Sequence, residues 1–222
     1  MIADILPPEV AAAESAGPEP EPGRALFLAE AALFPAEAAL VRTAGSRRRA
    51  EFAAGRACAR TALAALGWPA AEILAGRAGE PRWPDGVAGS ITHCAGYRAC
   101  AVARTADLAA VGIDAEPDAP LPAGLIDSVA GPAEQAWIAR QAPAAAAVCW
   151  DRLVFSAKEA VGKLCYPLTG QWLAVAEIAV FPDRDGGFDA RVAGHGSAPA
   201  RLAGRWLARD GLIVTAVTWA AR

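Results

Sequence analysis

The chain has 222 residues and a formal net charge of −3, enough length for a substantial core in one domain or two closely joined halves. This charge does not indicate a broad nucleic-acid-binding surface, so any anion site must rest on local basic residues. The five cysteines form no CxxC pair and no even framework, which favours buried thiols in a reducing compartment over disulfides or zinc.

The N-terminal region shows neither a signal-peptide pattern nor an apolar run long enough for a membrane helix, so we expect a cytoplasmic protein without a membrane partner. Alternating Pro and Glu over 17–23 predict an extended connection. A helix is expected over 47–67, with Ser46 as its N-cap and Gly67 as its stop.

The chain then changes to short β-rich segments, which predict a three-stranded meander over 86–93, 98–104 and 109–116. One helix is expected after Pro132, and a longer one from Pro143 to about Tyr166, ended by Pro167. Four more strands are expected over 175–181, 188–192, 200–208 and 212–220. Helices and antiparallel strands in this order predict an α+β fold, with the halves divided at 1–109 and 110–222.

The strand segment VGIDAE places Asp114 and Glu116 on one face, because side chains alternate along a strand. Two carboxylates about 7 Å apart on one face repel each other unless a cation lies near them. Oxygen ligands without nearby Cys or His favour magnesium over zinc. The alternative is a solvated strand end before the Pro117 turn.

The segment VFSAKEAVGKLCYP holds the only two lysines of the chain, whose other basic residues are arginine. On a helical wheel, Glu159 and Lys163 fall opposite an apolar stripe and Lys158 lies at its flank. One interpretation is an exposed ion pair worth about 0.3–0.5 kcal/mol. The other uses lysine as a compact charge suited to proton transfer or to a phosphate oxygen.

Two further groups of residues suit an anion. Arg48 and Arg56 lie beside the apolar face of the 47–67 helix, where they either extend their charged ends to solvent or hold an anion. The segment GSITHCAG places Ser90, Thr92 and His93 at a strand end, where small hydroxyls and glycine suit phosphate oxygens. Together with the carboxylates and lysines, these groups predict a magnesium-assisted site for a polyphosphate.

In their order along the chain, the segments RRRAEFAAGRACARTAL, GEPRWPDGVAGSITHCAGY, VGIDAE and FSAKEAVGKLCYPLTGQWL resemble the Sfp-type 4′-phosphopantetheinyl transferases, most closely the EntD-like branch with its actinobacterial members. The resemblance runs from about residue 40 to 175. It implies a pseudo-dimer of two similar halves, with coenzyme A in the cleft between them. It also implies transfer of phosphopantetheine to a serine of an apo carrier protein of fatty acid, polyketide or nonribosomal peptide synthesis, with release of 3′,5′-ADP.

The resemblance further implies roles for single residues. The expected ligands of Mg²⁺, or of Mn²⁺, are Asp114, Glu116 and Glu159. Glu159 is the candidate general base with Glu116 as the alternative, and Lys163 is expected to stabilise the transferring phosphate or the leaving group. The expected coenzyme A contacts are Lys158 at a phosphate and Arg48, Arg56 and His93 at the phosphates, with Arg48 and His93 at the 3′-phosphate. Ser90 and Thr92 are expected to line the nucleotide site.

The resemblance also marks one departure, because some relatives carry lysine where this chain has Ala75 and Glu80. This leaves Arg77 as the only cation of the 75–81 loop and puts contacts from that loop to the 3′-phosphate in doubt. Two other functions stay open, a metal-dependent phosphodiesterase of coenzyme A-like pyrophosphates and a non-catalytic coenzyme A-binding module. Two matching halves within one chain favour a monomer.

Overall fold

The helical and β-rich segments form an α+β fold in the computed structural model, which describes residues 1–17, 32–141, 148–193 and 198–221. The helices are α1 (Pro35–Val41), α2 (Ser46–Ala65), α3 (Ile126–Val129), α4 (Pro132–Gln141) and α5 (Trp150–Thr169). The strands are β1 (Ala11–Ala16), β2 (Val87–Cys94), β3 (Tyr97–Arg104), β4 (Leu108–Pro117), β5 (Ile178–Pro182), β6 (Gly187–Val192), β7 (Arg201–Arg209) and β8 (Leu212–Ala220).

The strands form two antiparallel sheets, one with the order β1-β3-β2 and one with the order β4-β8-β7-β6-β5. The predicted meander is therefore wrong in its third strand, because β4 pairs with β8, where Asp114 lies opposite Thr215. This partner is far away in the sequence, and the short turn between β3 and β4 gives no sign of it. The four predicted strands of the C-terminal part are confirmed as β5 to β8.

The two sheets pack face to face, and a helix covers the outer face of each. Tyr97 and Ala101 of β3 meet Ile113 of β4 and Ala216 of β8 in the buried layer between the sheets. The other face of β3 packs on α2, and the other face of the five-stranded sheet packs on α5. Four layers result, with the junction of β2 and β4 near the middle of the molecule.

Side-chain hydroxyls connect the two sheets at this junction. The backbone N–H of Ile113 donates to Ser90 Oγ at 3.2 Å, and that of Ala115 donates to Thr92 Oγ1 at 3.0 Å. A buried backbone N–H without a partner is costly, so these hydroxyls satisfy an edge of β4 that none of the described strands pairs with. The same contacts hold the end of β2 beside Asp114.

The helix boundaries differ slightly from those expected. Ser46 begins α2 and does not cap it, and α5 continues past Pro167 to Thr169, where Gly170 takes a left-handed conformation with φ 68°. A proline in the last turn removes one N–H donor, and the N–H of Gly170 still reaches the carbonyl of Tyr166 at 2.8 Å.

The long helix, expected from Pro143, begins at Trp150, and Cys149 before it is extended. Residues 142–147 of that prediction and, apart from Gly17, the extended connection over 17–23 lie outside the described residues. Of the helices in the described part of the chain, none is long and apolar enough to cross a membrane.

Candidate active site

The candidate site forms where α5 lies directly on β4, and Gly112 allows this approach. A side-chain carbon at Gly112 would stand 2.9 Å from the backbone nitrogen of Leu164 and would collide with the carbonyl oxygen of Ala160. Only glycine therefore lets the two backbones come so close. The approach brings Ser156 and Lys163 of α5 to Asp114 of β4.

Asp114 is the centre of this arrangement and is 5% exposed. Lys163 Nζ lies 2.7 Å from Asp114 Oδ1, which also accepts a hydrogen bond from Thr92 Oγ1 at 3.1 Å. Ser156 Oγ donates to the other carboxylate oxygen at 2.9 Å. Lys163 thus pairs with Asp114 across two elements, and the described ion pairs include no bond between Lys163 and Glu159.

Glu116 and Glu159 lie on either side of this centre in different surroundings. Glu116 Oε2 accepts a hydrogen bond from Arg152 at 2.8 Å, whereas Glu159 accepts none from any described residue. Burial raises the pKa of both glutamates, and the Asp114 carboxylate raises it further. Lys163 acts in the opposite direction on both, as does Arg152 on Glu116. The charge of Asp114 therefore acts on both glutamates.

The three carboxylates Asp114, Glu116 and Glu159 offer oxygen ligands to a divalent cation. Within the described residues, no three His, Cys, Asp or Glu side chains come together closely enough to form a complete metal cage. The donor chemistry nevertheless fits, because three carboxylates that repel one another in partly buried surroundings supply the oxygen ligands that Mg²⁺ prefers. The described side chains hold two cations against three carboxylates, Lys163 at Asp114 and Arg152 at Glu116.

A basic cavity of about 350 Å³ opens next to this centre, between α2, the end of β2 and the loop over 75–81. Its charged lining consists of Arg48, Glu51, Arg56 and His93. His93 Nε2 lies 3.5 Å from Glu51 Oε2 and 3.5 Å from an Arg48 nitrogen. Burial lowers the pKa of His93, whereas Glu51 raises it.

Arg56 is the most deeply placed cation of this cavity, at 6% exposed. Its Nε donates to the carbonyl of Ile73 at 2.7 Å, and its guanidinium lies 4.2 Å from the ring centre of Phe52. Burial lowers the pKa of Arg56 to about 10, and Glu37 counteracts this. Arg56 thus remains a fixed positive charge near neutral pH, with one donor committed to the protein.

An apolar cavity of about 280 Å³ adjoins the basic one, and Gly79, Pro81 and Ile91 line both. The rings of Trp83, Tyr166 and Trp172 form part of its wall, and Lys163 reaches it from α5. Trp172 is 54% exposed and packs on Tyr166 with the ring centres 5.6 Å apart. A ligand with an anionic end and a long neutral arm matches these two connected spaces.

Three expected phosphate or nucleotide contacts are placed differently. Lys158 is 1% exposed, and its Nζ binds the carbonyl of Val129 at 2.6 Å and Glu134 at 2.8 Å. The expected phosphate contact of Lys158 is therefore wrong, because a buried ammonium must be paired and this pair leaves Lys158 no access to a phosphate. The hydroxyls of Ser90 and Thr92 are likewise committed to the β2–β4 junction, although Ser90 still borders the apolar cavity.

The loop over 75–81 forms the shared wall of the two cavities. Arg77 is exposed, and the carboxylate of Glu80 accepts a hydrogen bond from the backbone N–H of Ala78 within the same loop at 2.9 Å. Ala75 lines the basic cavity with a side chain that brings no charge.

Sequence reasoning missed Arg152, Ser156 and Glu134. The first two had a detectable signal, because Arg152, Ser156, Glu159 and Lys163 follow the i, i+4, i+7, i+11 spacing of one helix face. A polar row of this kind along an otherwise apolar helix indicates a site rather than a solvated surface. Glu134 had no such signal, since its partner lies on another helix.

The fold and site define a class of enzyme that handles a phosphate-bearing ligand, with carboxylates and a lysine at the junction of two sheets. Comparison with known proteins identifies the class. Residues 36–103 match the family model of the 4′-phosphopantetheinyl transferase N-terminal domain, and residues 110–216 match that of the 4′-phosphopantetheinyl transferase superfamily.

Three relatives are similar over most of their length. The 4′-phosphopantetheinyl transferase Svp of Streptomyces mobaraensis is 53% identical over 196 residues, which cover 85% of this chain and 79% of Svp. PptT of Mycobacterium tuberculosis is 45% identical over 83% of this chain and 85% of its own length. Npt of Nocardia iowensis is 42% identical over 84% of this chain and 89% of its own length. The chain therefore belongs to the 4′-phosphopantetheinyl transferase family, whose members transfer phosphopantetheine to carrier proteins.

Proposed function

We propose that this transferase binds coenzyme A across the two connected cavities and serves carrier proteins of fatty acid, polyketide or nonribosomal peptide synthesis. The observation that carries the proposal is the position of Lys163, which borders the apolar cavity and lies 2.7 Å from Asp114. A pyrophosphate beside Lys163 has room for its nucleotide end towards Arg48, Arg56 and His93, and for its pantetheine arm along the aromatic wall.

Three residues would hold a magnesium ion, Asp114, Glu116 and Glu159. When bound, the ion supplies positive charge that neutralises phosphate oxygens as negative charge develops on them. The support for this ligand set is its donor chemistry and the Asp114 carboxylate, which raises the pKa of both Glu116 and Glu159. Mn²⁺ has the same preference for oxygen ligands.

In the proposed reaction, the hydroxyl of the carrier serine attacks the phosphorus that bears the pantetheine arm. The new serine O–P bond forms as the bond to the bridging pyrophosphate oxygen breaks, and 3′,5′-ADP leaves. Lys163 donates to a phosphate oxygen, and its ammonium is held in place by Asp114, Thr92 and the carbonyl of Ile113. A donor fixed before reaction stabilises the transition state without reorganising.

We assign the general base to Glu159 rather than to Glu116. Arg152 occupies Oε2 of Glu116, whereas Glu159 accepts no hydrogen bond within the described residues. Burial and the Asp114 carboxylate raise the pKa of Glu159, and a higher pKa makes its carboxylate a stronger proton acceptor. The serine proton would pass to Glu159 directly or through one water molecule.

The test is incubation of the protein with coenzyme A, Mg²⁺ and an apo carrier protein, followed by mass spectrometry of the carrier. We expect a mass increase of one phosphopantetheine and release of 3′,5′-ADP. Binding of coenzyme A without any change in the carrier would contradict the proposal and support a non-catalytic binding module. Breakdown of coenzyme A in the absence of a carrier would instead reveal a phosphodiesterase.

We also propose that the chain acts in the cytoplasm as a monomer with halves divided near 1–109 and 110–222. The three-stranded sheet belongs to the first part and the five-stranded sheet to the second, and the proposed ligands of the metal lie in the second part. A single sedimenting species of 22.7 kDa would agree with the monomer.

A further inference from the structure

Arg152 joins the candidate site to the chain segment that follows β4. Its NH1 donates to Glu116 Oε2 at 2.8 Å, its Nε to the carbonyl of Ala119 at 3.0 Å, and its NH2 to that of Pro120 at 2.9 Å. The side chain is 15% exposed. The three nitrogens of this guanidinium thus donate hydrogen bonds to the Glu116 carboxylate and to two backbone carbonyls.

This arrangement is more specific than a surface ion pair. Surface pairs contribute little because two mobile side chains must be held in one geometry. Here the planar fork of arginine is fixed by two backbone carbonyls, and the Glu116 carboxylate is 20% exposed. Asp151, the neighbour of Arg152, accepts a hydrogen bond from the N–H of Leu121 at 2.9 Å, which ties the same segment to the start of α5.

Arg152 lies on the same face of α5 as the other site residues of that helix. It lies one turn before Ser156 and two turns before Glu159 on the face that meets β4, so Arg152 reaches Glu116 where Ser156 reaches Asp114. Each carboxylate of the β4 row is thereby oriented by a donor from α5. Glu116 receives a permanent positive charge, and Asp114 receives a neutral hydroxyl as well as Lys163.

We propose that Arg152 is a positioning residue of the transferase, which orients the Glu116 carboxylate and offsets part of the negative charge of the carboxylate row. This inference rests on the proposed function of that row. Loss of Arg152 leaves Glu116 free to turn, so the chemical step slows. It also removes a positive charge beside the row, so a divalent cation binds more tightly.

The experiment compares Arg152→Met and Arg152→Lys with the full-length parent protein and with a control, Arg191→Met, whose side chain is exposed on β6. Transferase kinetics are measured with coenzyme A and an apo carrier. Mn²⁺ binding is measured separately by electron paramagnetic resonance in the absence of both substrates, and thermal melting reports folding. Mn²⁺ is the probe because it shares the ligand preference of Mg²⁺ and is paramagnetic.

For Arg152→Met we expect kcat to fall about tenfold or more, with KM for coenzyme A within about twofold of the parent value. Its Kd for Mn²⁺ should decrease about threefold or more, because the repulsion from the guanidinium is gone. Arg152→Lys keeps the positive charge, so its Kd for Mn²⁺ should equal the parent value. Its kcat should recover only partly, since an ammonium lacks the planar, forked donors of a guanidinium. Arg191→Met should match the parent.

The proposal is overturned if Arg152→Met keeps the parent kcat, or if its Mn²⁺ affinity is unchanged while only the melting temperature falls, since Arg152 would then merely brace the loop. Should Arg152→Met fail to fold, Arg152→Lys decides: a lower kcat at a melting temperature within about 5 °C of the parent supports the proposal, and an unchanged kcat refutes it. A parent protein that transfers nothing would refute the proposed function alone, and the Mn²⁺ comparison would still decide the role of Arg152.

Discussion

Replacement of Gly112 by alanine tests whether close packing of α5 on β4 builds the site. The new methyl carbon would lie 2.9 Å from Leu164 N and closer still to the carbonyl oxygen of Ala160, whereas ordinary contacts begin at 3.4 Å. The helix must therefore move away by at least 3.4 − 2.9, which is about 0.5 Å, and by more at Ala160. Overpacking of this kind costs about 1–3 kcal/mol.

The same movement separates Lys163 from Asp114, which are 2.7 Å apart in the structure. Misplacement of about 1 Å at a reacting centre lowers rates about 100-fold. We therefore expect Gly112→Ala to lose most of its transferase activity in the carrier mass assay and to melt at a lower temperature. The loss should appear in kcat even at temperatures where the variant is fully folded by circular dichroism.

Gly162 provides a matched control, because it lies in the same helix and a side-chain carbon there would meet nothing within 4 Å. Alanine inside a helix is more favourable than glycine by about 0.5–1 kcal/mol, so Gly162→Ala should raise the melting temperature and keep the activity. The reasoning fails if Gly112→Ala retains the parent kcat, or if Gly162→Ala loses as much activity as Gly112→Ala.

Three further predictions concern charged residues. Glu159→Gln should abolish transfer yet raise the melting temperature at neutral pH without divalent ions. Because the folded pKa of Glu159 is raised, its ionisation costs stability above the folded pKa, and the gain in the variant should shrink to nothing as the pH falls below the ordinary glutamate value, which pH-dependent melting would show. Arg48→Ala, whose side chain is 56% exposed, should keep its melting temperature but bind coenzyme A more weakly at low salt, with dephospho-coenzyme A unaffected in calorimetry. Lys158→Met should lower stability by about 3–5 kcal/mol in denaturant unfolding because it leaves the buried Glu134 carboxylate without its cationic partner, whereas weaker coenzyme A binding at full stability would restore the phosphate role.

The sequence was most informative where one element carries the pattern. The period of two in β4 correctly places Asp114 and Glu116 on one face, because that period depends only on strand geometry. It also places Gly112 on this face, and the structure shows that α5 meets the strand at this glycine. The strand pairing of β4 could not be derived, because the choice between β3 and β8 depends on the packing of two sheets.

The two lysines show where the sequence was least informative. Their shared rarity suggested a shared role, yet Lys158 pairs with Glu134 inside the protein and Lys163 pairs with Asp114 at the site. Lys158 and Lys163 are five residues apart, so helical periodicity places them about 140° apart around the axis of α5. It does not show which neighbouring element covers each of these two faces. That information lies in α4, whose Glu134 also accepts the N–H groups of Gly131 and Val180.

A common physical reason for lysine at both positions follows from the atoms around each nitrogen. Lys163 Nζ lies among Asp114 Oδ1, the carbonyl of Ile113 and Thr92 Oγ1, at distances from 2.7 to 3.5 Å. Acceptors on several sides of one point suit the three donors of an ammonium, whereas a guanidinium directs its donors within one plane. Lys158 Nζ likewise lies between a carbonyl and a carboxylate in a space with 1% exposure, where a larger head group would overpack. The shape of the acceptor set therefore favours lysine at both positions, and of the two only Lys163 lines the apolar cavity, beside which we propose that the substrate pyrophosphate binds.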